Sequence, residues 1–185
     1  MARRKEPGAG DLIRFFVRSG RLKAERRRGW VKKLGLNEPE SVADHSYRTA
    51  LMTMVISDAR GLDTGRALRL ALLHDLPEAV VGDAMPEERS GPKKTALETK
   101  AMDEILSELP KELSAIYRAT WKDYAEGRSE EARLVKQIDK VEMAIQAWEY
   151  ANAAGDPPSA REFWESARGR VNDEGLVELL GQVEP

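Results

Sequence analysis

The chain has 185 residues, 41% of them hydrophobic and 34% charged, with a net charge of −2; that length fits one domain with a full core. It has no cysteine, which excludes disulfides and thiolate metal ligands. No apolar run approaches the roughly 18 residues that cross a bilayer, and no apolar segment of signal-peptide type follows the basic start Met1-Ala2-Arg3-Arg4-Lys5, so a cytoplasmic protein without membrane attachment is expected.

Residues 1–9, with three basic residues, Pro7 and Gly8, read as a loose tail ahead of a single domain over 10–185. Asp11 can cap a short helix from Leu12 to Arg18, with Leu12, Phe15 and Phe16 on one face. From Arg14 to Lys33 nine Arg or Lys residues face one acid, Glu25. The part from Arg21 to Leu36, broken by Gly29 and Gly35, reads as a loop around Trp30. Such a basic stretch invites a nucleic-acid or phosphate reading, against the plainer reading of a solvated face.

Ser41 with Asp44 three residues later resembles a capping box, with Asp in the place of Glu. The helix it opens should run to about Arg60 and stop at Gly61. Tyr47, Leu51, Met54, Val55 and Asp58 share spacing on it, and His45 lies in its first turn. Asp63 or Thr64 caps the next helix, whose run from Ala67 to Leu73 is apolar nearly all round and is expected to be central. That helix delivers His74-Asp75, and Pro77 fits the first turn of a new short helix beside Glu78. Gly82 to Pro92 reads as a loop. Helices are expected from about Lys94 to Leu109, from Glu112 to Tyr124, and after the cap Ser129, where Leu134, Val135, Ile138, Val141, Ile145 and Trp148 are strongly periodic and Asp139 stands among them. Two short helices near Ala160 to Arg168 and Glu174 to Leu180 finish the chain. No alternating β-branched stretch stands out, so the expected class is an all-α, single-domain helical fold.

The only two histidines, His45 and His74, sit at helix positions beside acids. Taken with Asp75 and Asp139 they make two imidazoles and two carboxylates, a set that can hold one divalent transition metal and leave positions open for water and substrate. Alone, each residue has a plainer reading. A histidine near a helix start is more often packed or capping than ligating, and Asp139 could pair with Lys136 or Lys140.

The ordered blocks Arg27-Arg28-Gly29-Trp30-Val31, Glu38-Pro39-Glu40-Ser41-Val42-Ala43-Asp44-His45-Ser46-Tyr47-Arg48, Arg69 to Asp83 and Val135 to Met143, followed by Gln146-Ala147-Trp148-Glu149-Tyr150, resemble the HD-domain superfamily of metal-dependent phosphohydrolases. They look closest to its 5'-deoxynucleotidase branch, and the likeness runs from about Phe15 to Leu180. The resemblance implies metal ligands His45, His74, Asp75 and Asp139, and catalytic or water-positioning roles for Glu78 and Asp83. It also implies substrate contacts from Trp30, for which a core position is the alternative, and from Arg27 or Arg28, Arg27 being favoured by the spacing of the human-type members of the family, since Gly29 is inserted before Trp30 here. Here Leu76-Pro77 replaces other small pairs between the His-Asp and the Glu.

The implied activity is hydrolysis of deoxyribonucleoside 5'-monophosphates by a homodimer. The cofactor would be one divalent ion, with cobalt, manganese, zinc, iron and nickel all compatible. Trp121 to Tyr124, Trp148, Tyr150, Phe163 and Trp164 could feed the dimer interface, with ordinary core the alternative for all of them and the favoured one for Trp148. Two further readings stand beside it: hydrolysis of another nucleotide phosphoester (a triphosphate, a cyclic nucleotide or an oligonucleotide), and a nucleic-acid-binding helical protein using Arg14 to Lys33.

Overall fold

The computed structural model describes residues 8–84 and 91–185 and is all-α. Most of the tail expected over 1–9, and residues 85–90 of the expected Gly82–Pro92 loop, lie outside the described residues. The helices are α1 (Ala9–Ser19), α2 (Arg28–Leu34), α3 (Val42–Arg60), α4 (Thr64–Leu73), α5 (Glu78–Val81), α6 (Gly91–Leu106), α7 (Lys111–Glu126), α8 (Glu130–Ala154), α9 (Arg161–Arg168) and α10 (Glu174–Gly181), with 3-10 turns at Gly20–Lys23 and Pro157–Ala160. Among the described residues the extended pairing recorded is a single antiparallel bridge between Arg26 and Ser41. No helix among them is long and apolar enough to cross a membrane.

The chain forms two compact units, one from the chain up to Asp44 with Leu72–Ala125, the other from His45–Ala71 with Glu126–Pro185. The first buries Leu22, Val42, Leu73, Leu76, Met102, Ile105, Leu106 and Trp121 together, with Leu12 and Phe15 of α1 packed against them. The second is built on α8, where Leu134, Ile138, Val141 and Ala144 meet Ala167, Val171, Leu176 and Leu180.

Several helix boundaries follow from local chemistry. The Ser41 N–H and hydroxyl donate to Asp44 Oδ2 at 2.9 and 2.8 Å, and the Asp44 N–H donates to Ser41 Oγ at 3.2 Å. The capping box therefore forms as expected, with Asp44 held below its ordinary carboxylate range by those Ser41 bonds. Asp63, not Thr64, caps α4, accepting from the Arg66 N–H at 2.9 Å. Ser129 accepts from the Ala132 N–H at 3.1 Å and starts α8. Gly61, at φ +68°, supplies the left-handed residue after α3.

Other expectations are corrected. α1 begins at Ala9 with Gly8 before it, and Asp11 lies in its first turn instead of capping it; Phe16 is exposed. The loop expected over Arg21–Leu36 contains a 3-10 turn and the helix α2, closed by Gly35 at φ +66°. α4 is not buried all round: Ala67, Leu70 and Ala71 are inside, whereas Leu72 is 59% exposed. On α3 the shared-spacing residues Tyr47, Leu51, Met54 and Val55 are exposed, and the fully buried stripe is instead Thr49, Thr53 and Ser57. The hydroxyl oxygens of those three have no hydrogen-bond partner. Trp148 is 38% exposed, so ordinary core does not describe it, while Trp121 and Phe163 belong to the interior.

Candidate functional site

The His45 cluster lies within the second unit. The capping box puts His45 in the first turn of α3, on the face that is fully buried. Asp139 and Glu142 stand three residues apart on α8, so both project from one face of that helix. His45 Nε2 is 3.3 Å from Asp139 Oδ1, and its Nδ1 meets Glu142 Oε2 in a short contact. Glu142 is completely buried and accepts from Arg48 Nε at 2.9 Å. The other guanidinium nitrogens of Arg48 donate to Glu149 and Gln146, each at 2.7 Å. Asp139 Oδ2 pairs with Lys140 at 2.9 Å, so the ion pair that was its plainer reading does form. Nδ1 faces a carboxylate that itself has a cation behind it, and this fixes the ring orientation and directs Nε2 toward Asp139.

Sequence reasoning assigned no role to Glu142 or Arg48. The i, i+3 relation of Asp139 and Glu142 on one helix was the available signal. The sequence did not say that Arg48, one turn beyond His45, would reach Glu142.

The His74 cluster lies within the first unit. α4 ends at Leu73, and the chain turns through His74 and Asp75 into Pro77, which precedes α5. His74 is buried, with its ring edge-on to Tyr124 at 5.6 Å between centroids. His74 Nε2 lies 3.1 Å from Asp75 Oδ2, and Arg27 Nη1 lies 3.5 Å from the same oxygen. Glu78, in the first turn of α5, has a buried Oε2 without a hydrogen-bond partner. Burial pushes its carboxyl well above the usual range. The negative Asp75 and Asp83 add to that rise, and Arg27 and Lys94 oppose it. Asp83 accepts from the Arg28 backbone N–H at 2.6 Å, which satisfies one of the open donors at the start of α2. Trp30 is 1% exposed, and its indole N–H donates to Glu40 Oε1 at 2.9 Å. Of the two arginines, Arg27 directs its guanidinium to Asp75, whereas the recorded bond of Arg28 to Asp83 uses its backbone.

Each cluster thus presents one imidazole nitrogen beside one carboxylate oxygen, at 3.3 Å in one and 3.1 Å in the other. Two ligand atoms at about 2.1 Å from one divalent ion lie roughly 3.0–3.4 Å apart at octahedral or tetrahedral angles. Both pairs have that separation, so each fits a metal edge, and the mixed nitrogen and oxygen donors suit a transition ion.

Comparison with known proteins agrees with this chemistry. The family profile described as HD domain matches residues 19–175. The chain is 40% identical to human 5'-deoxynucleotidase HDDC2 over 179 residues, covering 96% of this chain and 86% of that protein. It is 37% identical to 5'-deoxynucleotidase hdd1 of Schizosaccharomyces pombe over 145 residues, 76% of this chain and 72% of that one. Among solved structures, a conserved hypothetical protein from Pyrococcus furiosus superposes with a TM-score of 0.76 at 34% identity, covering 92% of this chain and 98% of its own. Protein PH0347 from Pyrococcus horikoshii OT3 gives a TM-score of 0.77 at 31% identity, covering 92% and 97%. Both histidine–carboxylate pairs fall inside the matched span, and this chain belongs to the HD-domain family, for which a divalent metal ion is the implied cofactor.

Proposed function

We propose that the protein is a divalent-metal-dependent phosphatase that hydrolyses deoxyribonucleoside 5'-monophosphates to deoxynucleoside and phosphate. The observation that carries this reading is the group Asp75, Glu78, Asp83 and Arg27 gathered beside His74, in a chain similar over nearly its whole length to proteins named for that activity. His45, His74, Asp75 and Asp139 are the proposed ligands of one ion, whether cobalt, manganese, zinc, iron or nickel. When bound, such an ion supplies a Lewis acid for a phosphate oxygen and lowers the pKa of a water.

The remaining work belongs to the chain itself. Arg27 pairs with the phosphate through its planar guanidinium, exchanging part of its contact with Asp75 for the substrate. Water oxygen forms the new bond to phosphorus as the bond from phosphorus to the 5'-oxygen breaks, and the leaving oxygen needs a proton. Glu78 is suited to deliver it, because burial and its acidic neighbours favour its protonated form. Asp83 keeps the Arg27–Arg28 backbone in place and orients water. Trp30, buried against Glu40, backs this segment, and its proposed part in excluding a 2'-hydroxyl is exerted through the placement of that segment.

The proposal extends to a homodimer acting on free nucleotides in the cytoplasm. The exposed apolar strip of Tyr47, Leu51, Met54 and Val55 on α3 supports it, as a surface that a second copy would cover. The test is phosphate release from metal-stripped protein after adding back cobalt, manganese, zinc or magnesium. The panel pairs each deoxynucleoside 5'-monophosphate with its ribo counterpart, 3'-monophosphates and triphosphates. Selective, metal-restored release from the deoxy 5'-monophosphates is expected. Release from other phosphoesters alone would replace the substrate, and none at all would sink the enzyme reading.

A further inference from the structure

We infer that Glu25 is a positioning residue for this site, holding the Gly82–Asp83 turn against the Arg27 segment; this rests on the roles proposed above for Arg27 and Asp83. Two carboxylates tie the two segments reciprocally. Asp83 Oδ2 accepts from the backbone N–H of Arg28 at 2.6 Å, and Glu25 Oε1 accepts from the backbone N–H of Asp83 at 3.0 Å. Each carboxylate grips the main chain of the other's segment, and Arg27 lies between the two points of attachment. The logic is that of a capping box drawn between segments 55 or more residues apart in sequence.

Gly82 is what lets Glu25 approach. It has φ +72°, and a Cβ there would stand 3.2 Å from Glu25 Oε1 and 3.7 Å from its carboxyl carbon. The other side of the Arg27 segment is fastened independently. The Val42 N–H donates to the Glu25 carbonyl at 2.9 Å, the Arg27 N–H to the Glu40 carbonyl at 3.2 Å, and Arg26 Nη1 to the Pro39 carbonyl at 3.0 Å. Without its carboxylate, Glu25 therefore still has a backbone that is held in place. What the carboxylate adds is the link to the turn carrying Asp83, and so the register of Asp83 against Arg27.

The experiment compares Glu25→Ala, Glu25→Gln and Gly82→Ala with the wild-type full chain. One arm reads KM and kcat for a deoxynucleoside 5'-monophosphate with metal present. The other reads amide hydrogen exchange at Asp83 and Arg28 without substrate. Glu25→Ala should raise KM about tenfold, the scale of one hydrogen bond to a charged group, with a smaller change in kcat and faster exchange at Asp83. Glu25→Gln keeps the acceptor oxygen and should restore both, while Gly82→Ala should reproduce the alanine phenotype through its neighbour. In an Arg27→Ala background, Glu25→Ala should add little, because the two act through one contact. Wild-type KM in Glu25→Ala, equal losses in Ala and Gln, or full additivity with Arg27→Ala would each overturn the inference. A wild-type protein that releases no phosphate sinks the functional reading instead. The exchange arm then still decides the clasp, and unchanged protection at Asp83 in both Glu25→Ala and Gly82→Ala would remove it.

Discussion

In the unit that carries His45, the imidazole is backed by Glu142, and Glu142 is backed by Arg48, which also holds Glu149 and Gln146. In the unit that carries His74, the ring instead rests edge-on against Tyr124, and three carboxyl groups crowd near it with Arg27 to offset them. The first arrangement is braced by a buried carboxylate that has a cation on its far side. The second contains a buried carboxyl oxygen, on Glu78, with no hydrogen-bond partner. Buried polar groups are normally satisfied, and a buried carboxyl without a partner beside other acids favours its protonated form. The two clusters therefore differ in their support: the His45 side is braced by a charge pair, and the His74 side keeps an acid whose proton burial favours.

The sharpest way to break that comparison is to remove one proposed ligand from the His45 side. Asp139→Ala should lose bound metal and phosphatase activity together, as read by elemental analysis and phosphate release. Retained metal with full activity would show that the His45 cluster plays no part. Glu78→Gln should do the opposite, keeping metal while kcat falls by roughly 100- to 10,000-fold, the usual scale of general acid–base catalysis; normal turnover would show that Glu78 is not the proton mover. Third, Glu142→Gln or Arg48→Ala should weaken metal binding about 10- to 100-fold without removing any ligand, as loss of a histidine's outer partner does. A titration with a competing chelator reads this.

The comparison also has a signature in stability. The ordinary value for Glu78 is 4.5, and the folded protein holds it well above that. Between the two values the unfolded chain has released a proton that the folded chain keeps. Stability of the metal-free protein should therefore fall as pH rises through that interval, and Glu78→Gln should abolish the fall. The smallest effect lies at Asp173, held below its ordinary 3.8 chiefly by its hydrogen bonds to Arg60 and also by the Leu176 N–H that it caps. That stabilisation is present above pH 3.8 and is lost as pH falls through the lower folded value. Asp173→Asn keeps the cap acceptor and loses the charge pair with Arg60, so it should cost no more than about 1 kcal/mol near neutrality, visible in urea unfolding, and correspondingly less in acid.

Much of the helical scaffold was legible because its signals are local. Ser41 and Asp44 are three residues apart, Ser129 precedes an acidic first turn, and the α8 period repeats within single turns. The α2 helix was illegible for the opposite reason. Gly29 and Gly35 mark a break by propensity, yet the Arg28 N–H finds Asp83 and the Trp30 indole finds Glu40. Those partners satisfy a helix that the segment alone does not specify. The α3 stripe failed differently. Periodicity identifies a face but not which face is turned inward, and here the hydroxyls of Thr49, Thr53 and Ser57 are inside while Tyr47 and Leu51 are outside.

For the candidate site, the sequence by itself determined the chemical inventory: two histidines, the adjacent Asp75, the distant Asp139, and their places on or beside helices. It could do so because residue type and helical period are properties of short stretches. Only the tertiary structure decided that Glu142 and Arg48 stand behind His45, that Arg27 directs its guanidinium to Asp75, and that Glu78 is buried deeply enough to favour its proton. Those contacts join residues about 50 to 100 positions apart. They depend on how helices pack, and no local pattern records that packing.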